Sequence, residues 1–159
     1  GTVTGADTYD CGSEVTVVST PADFYDFVGW FVGETLVSED AEYTFTVTED
    51  VDLEARFTIE SYNVVFIRSH SGSLINPDPD IKLDGVRVFG EDKRNSTETS
   101  DVVERGIHAL VAVERDGFLW DLNFVTWTLE GGVSTTDSWT DKNISIALTG
   151  DATIVATFN

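Results

Sequence analysis

Three aspartates offer the chain's most regular spacing of hard oxygen ligands. They are Asp78, Asp80 and Asp84, in a D-x-D-x-x-x-D-G run that follows Asn76-Pro77 and ends on Gly85. Calcium needs several carboxylate or carbonyl oxygens converging from one turning loop. This run lacks the glycine-centred turn and the distal bidentate glutamate of an EF-hand loop, and prolines at 77 and 79 favour extended backbone. Solvated turn acids are the favoured reading, and calcium at these three residues is the one cofactor the sequence offers.

Other reactive residue types are scattered. Ser71 and Ser73 lie near His70, but no strand–turn–helix elbow surrounds them to expose a nucleophile. His70 and His108 lie 38 positions apart without a cysteine nearby, so a zinc constellation has no support. Cys11 is the only cysteine, which excludes an intrachain disulfide. No phosphate-binding glycine loop occurs, and Gly131-Gly132 is expected to be a hairpin turn. The sequence therefore points away from an enzyme. Asn95-Ser96-Thr97 and Asn143-Ile144-Ser145 fit the N-glycosylation sequon.

Charge narrows the partners. The chain carries 29 acidic against 9 basic residues, for a formal charge of −20. Its densest basic pair, Lys93-Arg94, is flanked by Glu91, Asp92, Glu98 and Asp101. Nucleic acid is bound through Lys and Arg neutralising phosphates, so DNA and RNA are excluded as partners. No apolar run approaches the ~20 residues of a membrane helix, so membrane insertion is not expected. Only three lysines occur, which leans toward a salt-adapted source. The chain has no methionine, which reads as a processed product or an excised fragment.

The elements that must position these residues are strands. Val, Thr, Phe, Tyr, Trp and Ile recur in short alternating runs broken by Gly, Asp and Pro. Tyr43 to Thr48 alternates so that Tyr43, Phe45 and Val47 share one face and three threonines the other. Ile81 to Val88 reads as a hairpin around Asp84-Gly85, a favoured type I′ pair. The nearest helix candidate is Ser100 to Arg105.

Those strands fall into an internal repeat. Thr48–Phe57 lines up with Thr149–Phe158, and Phe27–Phe31 with Phe124–Thr128. Gly12 to Phe24 and Gly106 to Phe118 each span 12 positions around an apolar run. The expected architecture is all-β: two tandem small antiparallel modules, β-grasp-like or sandwich-like, over residues 1–59 and 60–159. The second is enlarged by insertions, chiefly a hairpin and loop over 77–105. Trp30 and Trp127 occupy matching positions and are expected to anchor the two cores. Trp120 and Trp139 have no first-copy counterpart, which makes them candidates for ligand or partner contact.

Tyr62–Ile67 gives the second copy an opening apolar strand ahead of Gly72. The first copy begins at Gly1-Thr2-Val3, the apparent counterpart of Gly72, so it is expected to lack that strand. An exposed groove lined by residues such as Val3, Val17 and Phe57 follows, open to β-augmentation by a neighbouring chain.

The run Gly1–Gly5, Gly12–Val17, Thr20-Pro21, Phe24, Phe27–Trp30, Leu36–Ser38, Tyr43–Val47 and Ala55–Phe57 resembles the divergent internalin-type B-repeat, a module of bacterial and archaeal surface proteins. The resemblance covers nearly all of residues 1–58 and is looser over 62–159. There, Pro77–Arg105 departs from the pattern and the Gly-Trp pair becomes Thr126-Trp127. It implies a compact antiparallel β module acting as a stalk or adhesive segment, and it brings no catalytic residue with it. The function expected is that of a structural or adhesive repeat of an extracellular surface protein or filament. Its partners would be neighbouring copies or other extracellular proteins. The alternatives are a virion fibre or capsid-decoration domain, and a carbohydrate- or protein-binding module that uses the second-copy loops.

Overall fold

The computed structural model describes residues 1–70, 79–89, 97–114 and 122–159. The chain separates into two compact units, Gly1–Glu60 and Ser61–Asn159. Every regular element among the described residues is a strand.

Unit 1 holds β1 (Thr2–Thr4), β2 (Glu14–Thr20), β3 (Tyr25–Val32), β4 (Thr35–Ser38), β5 (Glu42–Thr46) and β6 (Glu54–Ile59). They form two antiparallel three-stranded sheets, ordered β1-β2-β5 and β4-β3-β6. The period-2 alternation of β2 turns Val15, Val17 and Ser19 inward. On its outer face Thr16 and Thr44 join hydroxyls across β2 and β5 at 2.7 Å. Both sheets feed one core, in which Val15, Val17 and Trp30 are packed by Phe27, Tyr43, Phe45 and Leu53.

Unit 2 holds β7 (Ser61–His70), β8 (Asp80–Leu83), β9 (Val86–Arg87), β10 (Glu98–Glu104), β11 (Gly106–Val113), β12 (Phe124–Ser134) and β13 (Asn143–Phe158). They make one seven-stranded sheet organised around β13. The N-terminal half of β13 pairs with β11 and its C-terminal half with β7, while β12 runs along its other edge. The β7–β13 pair is parallel in an otherwise antiparallel sheet. The core is correspondingly larger, with Phe66, Ile81, Phe89, Leu110, Trp127, Ile154 and Phe158 almost fully buried.

Two local expectations are corrected. Ser100–Arg105 is not helical: Glu98–Glu104 is β10, whose seven residues pair with β7. Its run of β-branched residues, Thr99, Val102 and Val103, suits a pleated surface better than a helix. Gly131-Gly132 is not a hairpin turn but lies inside β12, at a register shift between the pairs Gly131–Ala152 and Val133–Leu148 whose extra residues belong to β13. A Cβ on Gly132 would sit 2.3 Å from the Gly150 Cα, so the two strands cross here because both residues are glycine. Gly132→Ala is expected to cost about 1–3 kcal/mol as backbone overpacking, readable as a lower denaturant midpoint. The hairpin at Asp84-Gly85 forms as expected, Leu83 facing Val86 and both turn residues holding positive φ of 48° and 83°.

The units repeat one design strand by strand. In unit 1, β3 faces β6 with Phe27 opposite Phe57 and Trp30 opposite Ala55. In unit 2, β12 faces β13 with Phe124 opposite Phe158 and Trp127 opposite Ala156. Both pairings slip at the same place, after Phe27 and after Phe124. The aromatic clusters also match. Phe27 lies 5.8 Å from Trp30 and 5.7 Å from Phe57, and Phe124 lies 5.2 Å from Trp127 and 5.9 Å from Phe158.

The third block of the repeat aligns one residue away from where Gly12 and Gly106 place it. Val17 faces Tyr43 as Leu110 faces Ile144, and Ser19 N–H donates to Ala41 O as Ala112 N–H donates to Lys142 O. A shift of one residue along a strand exchanges its faces, so burial decides the register where glycine spacing does not. The same register sets Val3 of β1 against Ser19 as Ile81 of β8 lies against Ala112. The counterpart of Gly1 is therefore Pro79 rather than Gly72, and the addition in unit 2 begins after Leu83.

Ser19 keeps a hydroxyl buried without a hydrogen-bond partner where unit 2 has Ala112. Ser19→Ala is expected to raise the stability of unit 1 by about 1 kcal/mol, the desolvation cost of an unpaired hydroxyl. A chemical denaturation midpoint checks it.

Candidate functional site

Of the three sequence-nominated acids, Asp80 and Asp84 lie among the described residues. Asp80 is buried, and its Oδ1 accepts the N–H groups of Ile81 and Phe89 at 2.8 and 3.2 Å. Its Oδ2 accepts from the Arg87 guanidinium at 3.1 Å. Asp84 sits at the hairpin turn, where Oδ1 accepts the Ala109 N–H at 2.8 Å and Oδ2 lies 2.7 Å from His108 Nδ1. Burial pushes the Asp84 carboxyl up, but the bonds to His108 and Ala109 outweigh it and hold the group below its ordinary value. Asp78 lies outside the described residues. The oxygens of Asp80 and Asp84 thus serve as internal acceptors that tie β8, β9 and β11 together.

Each core tryptophan is anchored by its one polar atom. Trp30 Nε1–H donates to Asp40 O at 3.1 Å, and Trp127 Nε1–H donates to Asp141 O at 2.9 Å. Asp40 and Asp141 hold the same place before β5 and β13, so the hydrogen bond is duplicated along with the ring. Trp139 is 46% exposed and presents its indole to solvent. Its backbone carbonyl accepts the Trp127 N–H at 2.9 Å and the Thr126 hydroxyl at 3.2 Å. Trp120 lies outside the described residues. Cys11 is exposed, with Sγ 3.7 Å from Thr48 O.

Glu114, at the end of β11, links the loop ends of unit 2. It accepts a hydrogen bond from the Lys142 ammonium and one from the Phe124 N–H at 2.9 Å. The Lys142 bond first, then the Phe124 N–H, holds its carboxyl below the ordinary value. A carboxyl depressed in the folded state contributes stability that is complete above its unfolded value. That contribution is lost as pH falls through the ordinary carboxylate range toward the depressed value. Glu114→Gln is expected to flatten the acid limb of the stability profile by well under 1 kcal/mol, because the pair is solvent-screened. Urea midpoints between neutral and acid pH measure it.

One concavity lies in unit 1. It has a volume of about 460 Å³, and its walls include Val3, Val15, Val17, Trp30, Phe45, Val51 and Leu53. Acidic residues Asp7, Glu49, Asp50 and Asp52 stand at its margin. Val3 and Val17 are where the sequence placed them. Phe57 is not on the lining; its ring instead packs against Phe27 and crowds the place a Cβ on Gly1 would take. The acids at the margin are invisible as a group in the sequence, because Asp7 comes from the segment after β1 and the others from the segment before β6. A cavity with apolar walls and an acidic rim can receive an apolar side chain whose backbone donors or basic neighbours meet the rim.

Residues 1–61 match the family model of the divergent InlB B-repeat domain, the family the sequence resembles. No curated protein and no solved structure matches the chain.

Proposed function

We propose, with the B-repeat match of residues 1–61 as the premise, that the chain is a non-enzymatic repeat segment of an extracellular surface protein or filament. The observation that carries this reading is the duplicated core: two Phe–Trp–Phe clusters with the same bulge and the same indole-to-carbonyl bond. A protein that repeats its core while its loops diverge conserves shape rather than a reactive site. The high negative charge suits an exposed, soluble surface. No helix among the described residues is long and apolar enough to cross a membrane.

Antibody against the chain, applied to intact source cells and to their culture fluid, tests the reading. Label on the cell surface or on fibres supports it, and label confined to the interior of permeabilised cells overturns it. Label on released particles would assign the chain to a virion instead.

A further inference from the structure

The residues that open β13 differ from their unit 1 counterparts in a way that changes their chemistry. The register that sets Val17 against Tyr43 and Leu110 against Ile144 makes Asn143 the counterpart of Glu42, Ser145 that of Thr44 and Ala109 that of Thr16. In unit 1 the Thr44 hydroxyl is bonded to that of Thr16 at 2.7 Å. In unit 2 Ser145 faces Ala109, which has no hydroxyl to offer. Where unit 1 has a carboxylate, unit 2 has an amide, and a paired hydroxyl gives way to an unpaired one.

The two changes fall two residues apart on one strand, where the period-2 alternation puts both side chains on the outer face. Asn143 and Ser145 are exposed, while Ile144 between them is buried in the core. Among the described residues neither the Asn143 amide nor the Ser145 hydroxyl has a hydrogen-bond partner. The flank beside them is open as well. Pairing of β12 with β13 reaches only Ser134–Ala147, short of both residues. Beyond it Asp137 Oδ2 accepts the Ser145 N–H at 2.6 Å, and the Ser145 carbonyl accepts the Thr135 hydroxyl at 2.6 Å. These bonds hold the backbone of the segment and leave its two outer side chains unengaged.

Asn143-Ile144-Ser145 is an N-glycosylation sequon. So short a pattern recurs by chance; what distinguishes this one is that the fold presents amide and hydroxyl together, exposed and unbonded. We infer that Asn143 carries an N-linked oligosaccharide. In the transfer, Asn143 Nδ2 bonds to the anomeric carbon of an oligosaccharide carried on a polyprenyl phosphate. The bond from that carbon to the phosphate oxygen breaks, the lipid phosphate leaves with the electron pair, and the amide gives up one proton. The Ser145 hydroxyl is the group the transferring enzyme reads alongside the amide. The glycan then stands on the outer face of β11 and β13, where Val111 lies directly across from Asn143 and Ile107, on the same face, is 61% exposed. A bulky, solubilising group there shields an apolar strip from solvent.

This inference rests on the extracellular reading, because the lipid-linked donor serves exported chains. The test isolates the protein from the surface and culture fluid of its source cells and digests it. Mass spectrometry with electron-transfer fragmentation then reads the peptide that contains Asn143. Sugar mass on Asn143 is expected. Asn143→Gln and Ser145→Ala, expressed in the same cells, should each remove it. Ser145→Thr, which restores the residue type unit 1 carries at this place, should retain it. Exported protein with a bare Asn143, sugar confined to other residues, or modification that survives Ser145→Ala would overturn the inference and leave the surface reading standing. Protein found only inside the cells would overturn both.

Discussion

Trp127→Ala is expected to remove about 3–5 kcal/mol from unit 2, and Trp30→Ala a similar amount from unit 1. Each indole is 98% buried and touches a phenylalanine on its own strand, so truncation leaves a large cavity between packed aromatics. It also strips a partner from the carbonyl of Asp141 or Asp40. The consequence differs between the units because their reserves differ. At roughly 0.05–0.15 kcal/mol per residue, a module of about 60 residues holds only ~3–9 kcal/mol. Trp30→Ala is therefore expected to leave unit 1 largely unfolded at 25 °C, whereas Trp127→Ala leaves unit 2 folded with a lower midpoint. Hydrogen exchange resolved by residue distinguishes the two. Protection of Val15 and Val17 that survives Trp30→Ala would refute the assignment of Trp30 as the anchor.

Asp80→Ala is expected to destabilise unit 2 by about 2–5 kcal/mol, close to the tryptophan effect although it removes only a carboxylate. Asp80 is 3% exposed and satisfies two buried backbone donors, Ile81 N–H and Phe89 N–H. Alanine leaves both unpaired, and each unpaired buried donor costs its full desolvation. Asp80→Asn keeps an acceptor of nearly the same shape and should recover at least half of the loss. Arg87→Gln removes only a partly exposed partner and is expected to change stability by less than about 1 kcal/mol. Thermal unfolding of the three variants separates these outcomes. If Asp80 acted mainly as a charge partner of Arg87, Asp80→Asn and Arg87→Gln would instead be equally damaging.

Asp80 illustrates how the sequence conveys a residue without its role. Its spacing to Asp84 suggests a cation loop; in the fold Asp80 opens β8 and Asp84 stands in the turn that follows it. Each then finds backbone N–H donors, a form of satisfaction that leaves no trace in spacing. The register of the repeat behaves similarly. Gly12 and Gly106 mark the right neighbourhood, but only the side on which Val17 and Leu110 are buried fixes the alignment.

Some properties of this protein follow from composition and short-range pattern alone. Alternation in β2 and β5, the Asp84-Gly85 turn and the paired Phe-x-x-Trp blocks determine an all-β duplication, because strand faces and tight turns are local consequences of residue type. Tertiary structure decided the rest. The parallel seat of β7 on β13, the close crossing at Gly132 and Gly150, and the acid-rimmed cavity of unit 1 all join segments far apart in sequence. Such contacts depend on how two edges and two cores complete each other, and a linear pattern does not encode which edge receives a strand.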